Sequence, residues 1–500
     1  MGNRFYFKNF INIINITFSV ILDGLEVVGC PVGSQLFVEA FVLKKVKKWE
    51  KALTLVENLN PLVSFPLLKY CIHSRAGYLS RVVQYWKCEA IWKRADASFE
   101  KTLDTILAIE GVGRERLKVM AAIQKLPCRL GGLGLTSLSD IAPVAWKTSW
   151  LSAYDYIQKN WDSIGHLWEE KVWEEGNSRV FEDHLKIDNF KFGETTFEHL
   201  GSFQKELTKE LFNQKADEVE GLLANNTASL ALFKAQRQGG YQWLSYQFLG
   251  KKMWAKVFQC ALSARLLFPH FSVGANAQND VCDCKFRRRD ERVNPNREEV
   301  HLRDPKQEWH AISCPAMHEH TIARHNALYL TLKRTLLRMI PHLQFEREWS
   351  TWNQFLQKRL SVDLRMRSGE DEPWYYIDFS FVNIASASNV KKATAAVVKD
   401  RETMKIKKYN DFLSTEQMRF MIPFVMDSAG NVGQLALNFL DKISKEFFSE
   451  SEISVKNEVL AALQNCYWEC FYQFKEVFNR LIDNPSVRQR ISHNSSYISQ

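Results

Sequence analysis

The sequence has no run of about 18 apolar residues, the length a membrane-spanning helix requires. The nearest approach, Asn9 to Leu22, is uncharged and follows Arg4 and Lys8, as the core of a signal peptide would. Asn9, Asn12 and Asn15 interrupt it, and Asp23-Gly24 follows where a cleavage site would place small residues. Its Ile, Val, Phe and Thr content suits a strand better. The expectation is a chain that neither spans a membrane nor is secreted. A phosphate-cradling glycine loop is also missing. Pro127-Cys128-Arg129-Leu130-Gly131-Gly132-Leu133-Gly134-Leu135 fits neither G-x-G-x-x-G nor the Walker pattern, so no nucleotide site is expected there. Its glycines permit a tight turn and a close backbone approach instead. Internal repeats and low-complexity tracts are absent. The ten cysteines, at 30, 71, 88, 128, 260, 282, 284, 314, 466 and 470, are dispersed, which argues against a disulfide framework.

What is present is ordinary in proportion. Of 500 residues, 46% are hydrophobic and 25% charged, which excludes disorder, collagen and coiled coil as descriptions of the whole chain. The length suits about three domains at roughly 100–200 residues each. There are 66 Lys+Arg against 57 Asp+Glu, a net charge of +9 that leans towards a polyanionic partner. Residues 1–35 read as short strands and turns punctuated by Gly24, Gly29, Pro31 and Gly33. From 36 to 160 the pattern is helical, with Phe37, Ala40, Leu43 and Val46 at three-residue steps beside Lys44, Lys45, Lys47 and Lys48. Leu67 to Trp86 carries Lys69, His73, Arg75 and Arg81 among Tyr70, Tyr78 and Tyr85. Such interleaving suits a groove that tracks a nucleic-acid backbone, and it equally suits an amphipathic core helix. Residues 160–270 read as helical scaffold, and 273–303 turn to Gly, Asn, Pro and charge. A long amphipathic helix, 321–340, ends at Pro341; strands follow at 343–348, 361–366, 374–384 and 419–426, with a charged helix at 399–414.

Two constellations carry chemistry. The first is Cys282-x-Cys284 with His310-x-x-x-Cys314, three thiolates and an imidazole that make a four-coordinate zinc set. Arg287, Arg288, Arg289 and Arg292 lie between the pairs, as in a small nucleic-acid-binding finger, and His301, His318 and His320 are rival ligands. The alternative is an exposed Cys pair with surface histidines. The second is Asp363 and Asp378. The turn signal Ser368-Gly369-Glu370-Asp371 centres a hairpin in which the two Asp oppose each other directly. Opposed like charges on a strand pair are destabilising. A divalent cation between them, Mg²⁺ or Mn²⁺, converts that cost into a site. Ile377, Phe379 and Phe381 then bury the other face. Glu346 is a candidate third carboxylate, and Lys405 and Lys408 share one helix face from which a Lys would orient water and stabilise charge on phosphorus. The plain alternative is solvated acids on a strand and an ordinary charged helix.

Taken in order, these residues resemble the C-terminal part of a non-LTR retrotransposon polyprotein of the kind that carries a restriction-enzyme-like endonuclease. Val27-Val28-Gly29-Cys30-Pro31-Val32-Gly33 resembles the end of a reverse transcriptase palm. Residues 36–155, with Arg75, Tyr78, Arg81 and Gly131-Gly132-Leu133-Gly134, resemble the thumb. His310, Cys314 and Arg324-His325-Asn326 resemble the zinc knuckle and the segment after it. Val362-Asp363, fourteen residues, then Asp378 resembles the endonuclease signature, with Val362 where a Pro usually stands; Phe424-Val425 and Gly430 resemble the next strand and turn.

The resemblance implies a multidomain α plus α/β chain. It would comprise a palm remnant at 1–35, a helical thumb-like domain at 36–160 and a helical linker at 161–272. A zinc-knuckle segment at 273–330 and a mixed-sheet nuclease domain of the PD-(D/E)xK type at 331–500 would follow. It implies Asp363 and Asp378 as magnesium ligands and catalytic residues, Glu346 as an assistant, and Lys405 as the catalytic lysine with Lys391 as its rival. Cys282, Cys284, His310 and Cys314 would hold Zn²⁺, and Arg75, Arg81, Arg287, Arg288 and Arg289 would meet nucleic acid. The partners implied are target DNA, nicked at a divalent metal, and the element's RNA; the location is the nucleus. One departure matters. The paired palm aspartates of a polymerase, usually in an aromatic-Ala-Asp-Asp turn, are missing, so polymerisation by this chain alone is not expected. The alternative function is a nucleic-acid-binding fragment or domesticated relic without catalysis.

Overall fold

The computed structural model describes residues 23–109, 112–160, 200–246, 253–268, 281–282, 300–301, 309–314, 317–353, 357–448 and 455–483. The chain divides into two compact units that the backbone enters twice each: residues 1–111 with 134–215, and 112–133 with 216–500. This partition cuts across the segments expected from sequence. A helix inside the thumb-like stretch, Arg114–Lys125, belongs to the second unit, and the helical linker is shared between the two. Helices make up most of the described parts of 36–160 and 200–268, and the described part after residue 340 is a mixed sheet with helices. Among the described residues no helix is long and apolar enough to cross a membrane.

The first unit opens with a two-stranded antiparallel ribbon, β1 (Gly24–Val27) and β2 (Cys30–Gly33). Helix α1 (Gln35–Val56) follows, started by the Ser34 hydroxyl accepting from the Phe37 amide at 3.2 Å. Its buried stripe is Val38, Val42, Val46, Trp49, Leu53 and Val56. The expected stripe shared only Val46 with it. Strict three-residue steps drift round a 3.6-residue turn, whereas steps of four and three stay on one face. Then come α2 (Pro61–Pro66), a π-helical turn (Leu67–His73), α3 (Ser74–Val82), α4 (Glu89–Leu107) and, after an excursion into the second unit, α6 (Leu138–Asn160). Asp96 of α4 is buried and caps α6 from outside: its carboxylate accepts from the amides of Leu138 (2.7 Å) and Ser139 (3.0 Å) and from the Ser137 and Ser139 hydroxyls.

In the second unit the excursion helix is α5 (Arg114–Lys125). Helix α7 (Leu200–Leu222) begins in the first unit and ends in the second, followed by α8 (Thr227–Gln236), α9 (Gln242–Tyr246) and α10 (Ala255–Arg265). A two-residue pair, β3 (Val281–Cys282) with β4 (Val300–His301), precedes the long helix α11 (His318–Met339). The main sheet has four strands: β5 (Gln344–Arg347), β8 (Leu364–Arg367), β9 (Tyr375–Val382) and β10 (Met421–Asp427), in the spatial order β10-β9-β8-β5. Strand β10 runs parallel to β9 and the other pairings are antiparallel. The parallel crossover is α12 (Thr394–Asn410), followed by the single turn α13 (Thr415–Met418); α14 (Gln434–Phe447) and α15 (Val455–Asp483) close the chain.

Between β5 and β8 stand β6 (Ser350–Asn353) and β7 (Lys358–Ser361), paired with each other and outside the main sheet. All four strands keep one register. Partner numbers sum alike from Gln344↔Arg367 through Arg347↔Leu364 to Ser350↔Ser361 and Asn353↔Lys358. The ladder bonds Glu348 N to Asp363 O (3.1 Å) and Val362 N to Trp349 O (2.9 Å) bridge the gap. It is therefore one ribbon, kinked in the middle, where Glu348 adopts a left-handed φ of 53°. The expected strand at 361–366 is broken at this kink. Ile377 and Phe379 are buried as expected; Phe379 stacks on Phe424 at 4.7 Å and Phe381 on Tyr467 at 5.6 Å.

The turn after β10 is held by Asp427, which is fully buried and accepts from the amides of Ala429 (2.8 Å) and Asn431 (2.9 Å) and from Asn431 Nδ2 (2.9 Å). Burial outweighs these bonds and pushes its carboxyl up to about 6. The folded state thus holds a proton that the unfolded chain, near 3.9, releases. Stability is expected to fall as pH rises from about 4 to about 6, by at most about 1.4 kcal/mol per pH unit from this group. Urea unfolding across that range should show a shallower slope in Asp427→Asn than in the wild type. Equal slopes would show that burial does not set the Asp427 titration.

Candidate active site

The kink positions the site. Strands β8 and β9 pair as Leu364↔Ile377, Arg365↔Tyr376 and Met366↔Tyr375. Continued by one residue, that register sets Asp363 opposite Asp378, the pairing expected from the hairpin symmetry. Asp363, however, sits where the ribbon leaves the sheet. Its side chain turns into the open edge of β9, and Oδ2 accepts from the Phe379 amide at 2.6 Å. A carboxylate thus replaces the missing ladder partner, which answers the demand of a backbone N–H for an acceptor. The Phe379 carbonyl at the same edge accepts from Lys405 Nζ of α12 at 3.3 Å. Lys405 also forms an ion pair with Asp378 Oδ2. Asp363, Asp378 and Lys405 therefore meet around one residue of β9.

Asp378 is 3% exposed, and its charge is compensated locally. The Tyr409 hydroxyl lies 2.5 Å from its Oδ1 and 2.8 Å from the Ser361 carbonyl, one proton serving two acceptors. Lys408 Nζ stands 3.8 Å from Oδ1 and donates to the Tyr409 hydroxyl at 3.1 Å. Lys405 supplies charge to Oδ2, but no hydrogen-bond donor is aligned on that oxygen among the described residues. Burial, and then the Asp378 charge beside it, raise the Tyr409 phenol well above its ordinary range. His325 Nε2 of α11 lies 3.1 Å from Asp363 Oδ2, the oxygen that also accepts from the Phe379 amide. That hydrogen bond, reinforced by the Asp363 charge, holds the imidazole pKa above its usual value.

No family model matches the chain, and no curated protein matches it.

The other expected residues lie elsewhere. Glu346 faces Arg365 across β5 and β8, accepting from Nε at 2.8 Å and pairing with Nη2 at 2.6 Å, two strands from Asp378 in the sheet. The register commits it to that guanidinium, so it does not join the pair. Lys391 is exposed ahead of α12, and the lysine brought to the carboxylates is Lys405. Cys284 and Arg287, Arg288 and Arg289 lie outside the described residues, and Cys282 is placed only by its strand. His310 opens a short 3-10 turn that ends at buried Cys314, and its Nε2 is buried with no hydrogen-bond partner among the described residues. No group of three or more His, Cys, Asp or Glu side chains able to hold a metal ion occurs among the described residues.

In the first unit, Arg75 is exposed and lines a cavity of about 360 Å³ with Lys45, Lys48, Trp49 and Tyr78. Arg81 lines another of about 320 Å³ with Lys69, Tyr70 and His73. The imidazole of His73 is turned to the Thr136 carbonyl at 2.7 Å, a structural role.

Sequence reasoning did not assign Tyr409 or His325 to the site. Tyr409 is four residues after Lys405 on the same helix face, a detectable signal. His325 carried none from spacing, because a helix 38 residues before Asp363 approaches it only through tertiary packing.

Proposed function

We propose that this chain is a divalent-metal-dependent endonuclease that nicks DNA, with Asp363 and Asp378 as metal ligands and Lys405 as the cation at the reacting phosphate. The observation that carries the reading is the meeting of the two carboxylates with one lysine at the notch where β8 leaves β9. The donor set is of the kind a hard cation takes: two carboxylates, Asp363 and Asp378, with the Lys405 ammonium against Asp378 Oδ2. Mg²⁺ or Mn²⁺, when bound, would supply charge for the developing oxyanion and acidify a water. Tyr409 and the Phe379 amide fix the carboxylate positions, and Lys405 offers positive charge at the same place. His325 holds Asp363 through the same oxygen as the Phe379 amide.

The reading extends to the setting that the resemblance implies: a retrotransposon protein, without paired polymerase aspartates in this sequence, acting on target DNA in the nucleus with the element's RNA as a second partner. A zinc knuckle around His310 and Cys314 belongs to the same proposal. The test is conversion of supercoiled plasmid to open circles. It is expected with Mg²⁺ or Mn²⁺, absent with EDTA, and abolished in Asp363→Ala. Nicking that persists in EDTA or in that variant overturns the reading.

The two cation-lined cavities of the first unit favour a second reading, nucleic-acid binding without cleavage. It predicts binding that weakens steeply with salt and no nicking under any metal.

A further inference from the structure

The ribbon that carries Asp363 does not end at the site. Beyond the kink, β6 and β7 continue it as a two-stranded arm that pairs with no other strand among the described residues. Residues 349–362 contain Lys358 and Arg359 and no acidic residue. Trp352 and Arg359 are register partners on this arm. Trp352 is 56% exposed, although aromatic rings of this size are usually well buried. The base of the arm is packed. Trp349 packs on Tyr376 at 5.1 Å, and the Arg365 guanidinium lies between Trp349 (5.0 Å) and Trp374 (4.2 Å). Arg367 covers Trp374 at 4.6 Å. Below the site, residues 391–410 around α12 hold seven Lys and Arg against two acids. An arm and a helix of positive charge thus flank the carboxylate notch.

We propose that the β6–β7 arm is a DNA-reading element of this nuclease, in which Trp352 stacks on an unpaired base near the scissile phosphate and Arg359 contacts the backbone. The proposal rests on the endonuclease reading and specifies its substrate: duplex DNA with unpaired bases beside the cut. A two-stranded ribbon fits the major groove of B-DNA. An exposed indole on a paired strand has the flat face that stacking requires, and a Trp side chain has only two χ angles to order. Trp352 lies four ribbon positions beyond the residue opposite Asp363, about 13 Å at the rise of a strand. That distance matches about four base steps along a duplex.

The experiment uses the full chain with fluorescein-labelled duplexes of one sequence, either fully paired or carrying a short bulge about four steps from the nick position. Binding is read by anisotropy in Ca²⁺, with cleavage scored separately in Mg²⁺. The wild type should bind the bulged duplex about tenfold more tightly than the paired one, the scale of one stacked base. Trp352→Ala should abolish that preference, and Trp352→Phe should restore part of it. Arg359→Ala should weaken binding to both duplexes and lower the salt dependence. A 2-aminopurine placed in the bulge should be quenched by the wild type and not by Trp352→Ala. Equal affinity of the wild type for both duplexes, or an unchanged preference in Trp352→Ala, overturns the proposal. So does a Trp352→Ala variant whose only change is loss of self-association in sedimentation, which would assign the arm to a second copy of the chain. Because binding is measured without cleavage, absent nicking combined with bulge preference would sink only the nuclease reading. Nicking without preference would sink only the arm.

Discussion

Asp378→Asn is expected to reduce metal-dependent nicking by about 10³-fold or more while the protein stays folded. The substitution is nearly isosteric and keeps an oxygen for the Tyr409 hydroxyl at Oδ1. It removes the negative charge that a divalent cation requires and turns an amide N–H₂ towards the Lys405 ammonium, which has no acceptor to offer it. A metal contributes several kcal/mol of charge stabilisation, and each 1.4 kcal/mol or so is about tenfold in rate, which sets the scale. The stability cost should be modest, about 1–2 kcal/mol, because the Lys405 side chain keeps 18% exposure and water relieves its lost partner. Near-UV circular dichroism and thermal denaturation report the fold; plasmid nicking at saturating Mg²⁺ reports the chemistry. Activity within tenfold of wild type would remove Asp378 from the active site. Loss of the folded signal would instead make the Asp378 cluster a structural ion pair.

The second large effect lies far from that notch. Arg265→Ala should destabilise the second unit by about 3–5 kcal/mol, by adding buried unpaired groups to a large cavity. Arg265 is 1% exposed, and its guanidinium donates from Nε to the Gly132 carbonyl (3.0 Å) and from Nη2 to the Cys128 carbonyl (2.6 Å). Burial pulls its pKa down to about 10, the cost of a charge held away from water. It stays charged because two backbone carbonyls of the Cys128–Gly132 turn face it. That turn cannot be rebuilt around another residue. A Cβ at Gly132 would lie 2.1 Å from the Leu126 carbonyl oxygen, and Gly131 has a φ of 91°. Arg265→Met restores volume and removes the charge, and is expected to recover about half the loss. Urea unfolding followed by tryptophan fluorescence measures both. An Arg265→Ala variant within about 1 kcal/mol of wild type would show that the turn does not depend on the guanidinium.

Much of this is legible in the sequence. The hairpin symmetry about Ser368–Asp371 placed Asp363 opposite Asp378, and the observed β8–β9 register agrees because pairing across a turn is set by sequence spacing. The spacing of Lys405 and Lys408 put both on the α12 face that meets Asp378. Glycine content marked the Cys128–Gly134 segment as a close approach, without showing what approaches. Other features were not legible. The kink at Glu348 and Asp363 follows from β8 joining the sheet while β7 does not, a competition between two sets of neighbours. Glu346 was lost to Arg365 because both stand at one register position of β5 and β8.

The sequence by itself determined the local terms: helix and strand periods, the hairpin register, the lysine face and the positive balance. Those depend on residues a few positions apart, which the chain brings together whatever its fold. Tertiary structure alone decided which groups compensate the buried charge of Asp378, that His325 reaches Asp363, and that Arg265 pins the Cys128–Gly132 turn across more than a hundred residues. Such pairings depend on how helices pack against the sheet. Packing sums weak apolar contacts over whole faces, and no local spacing in the chain records its outcome.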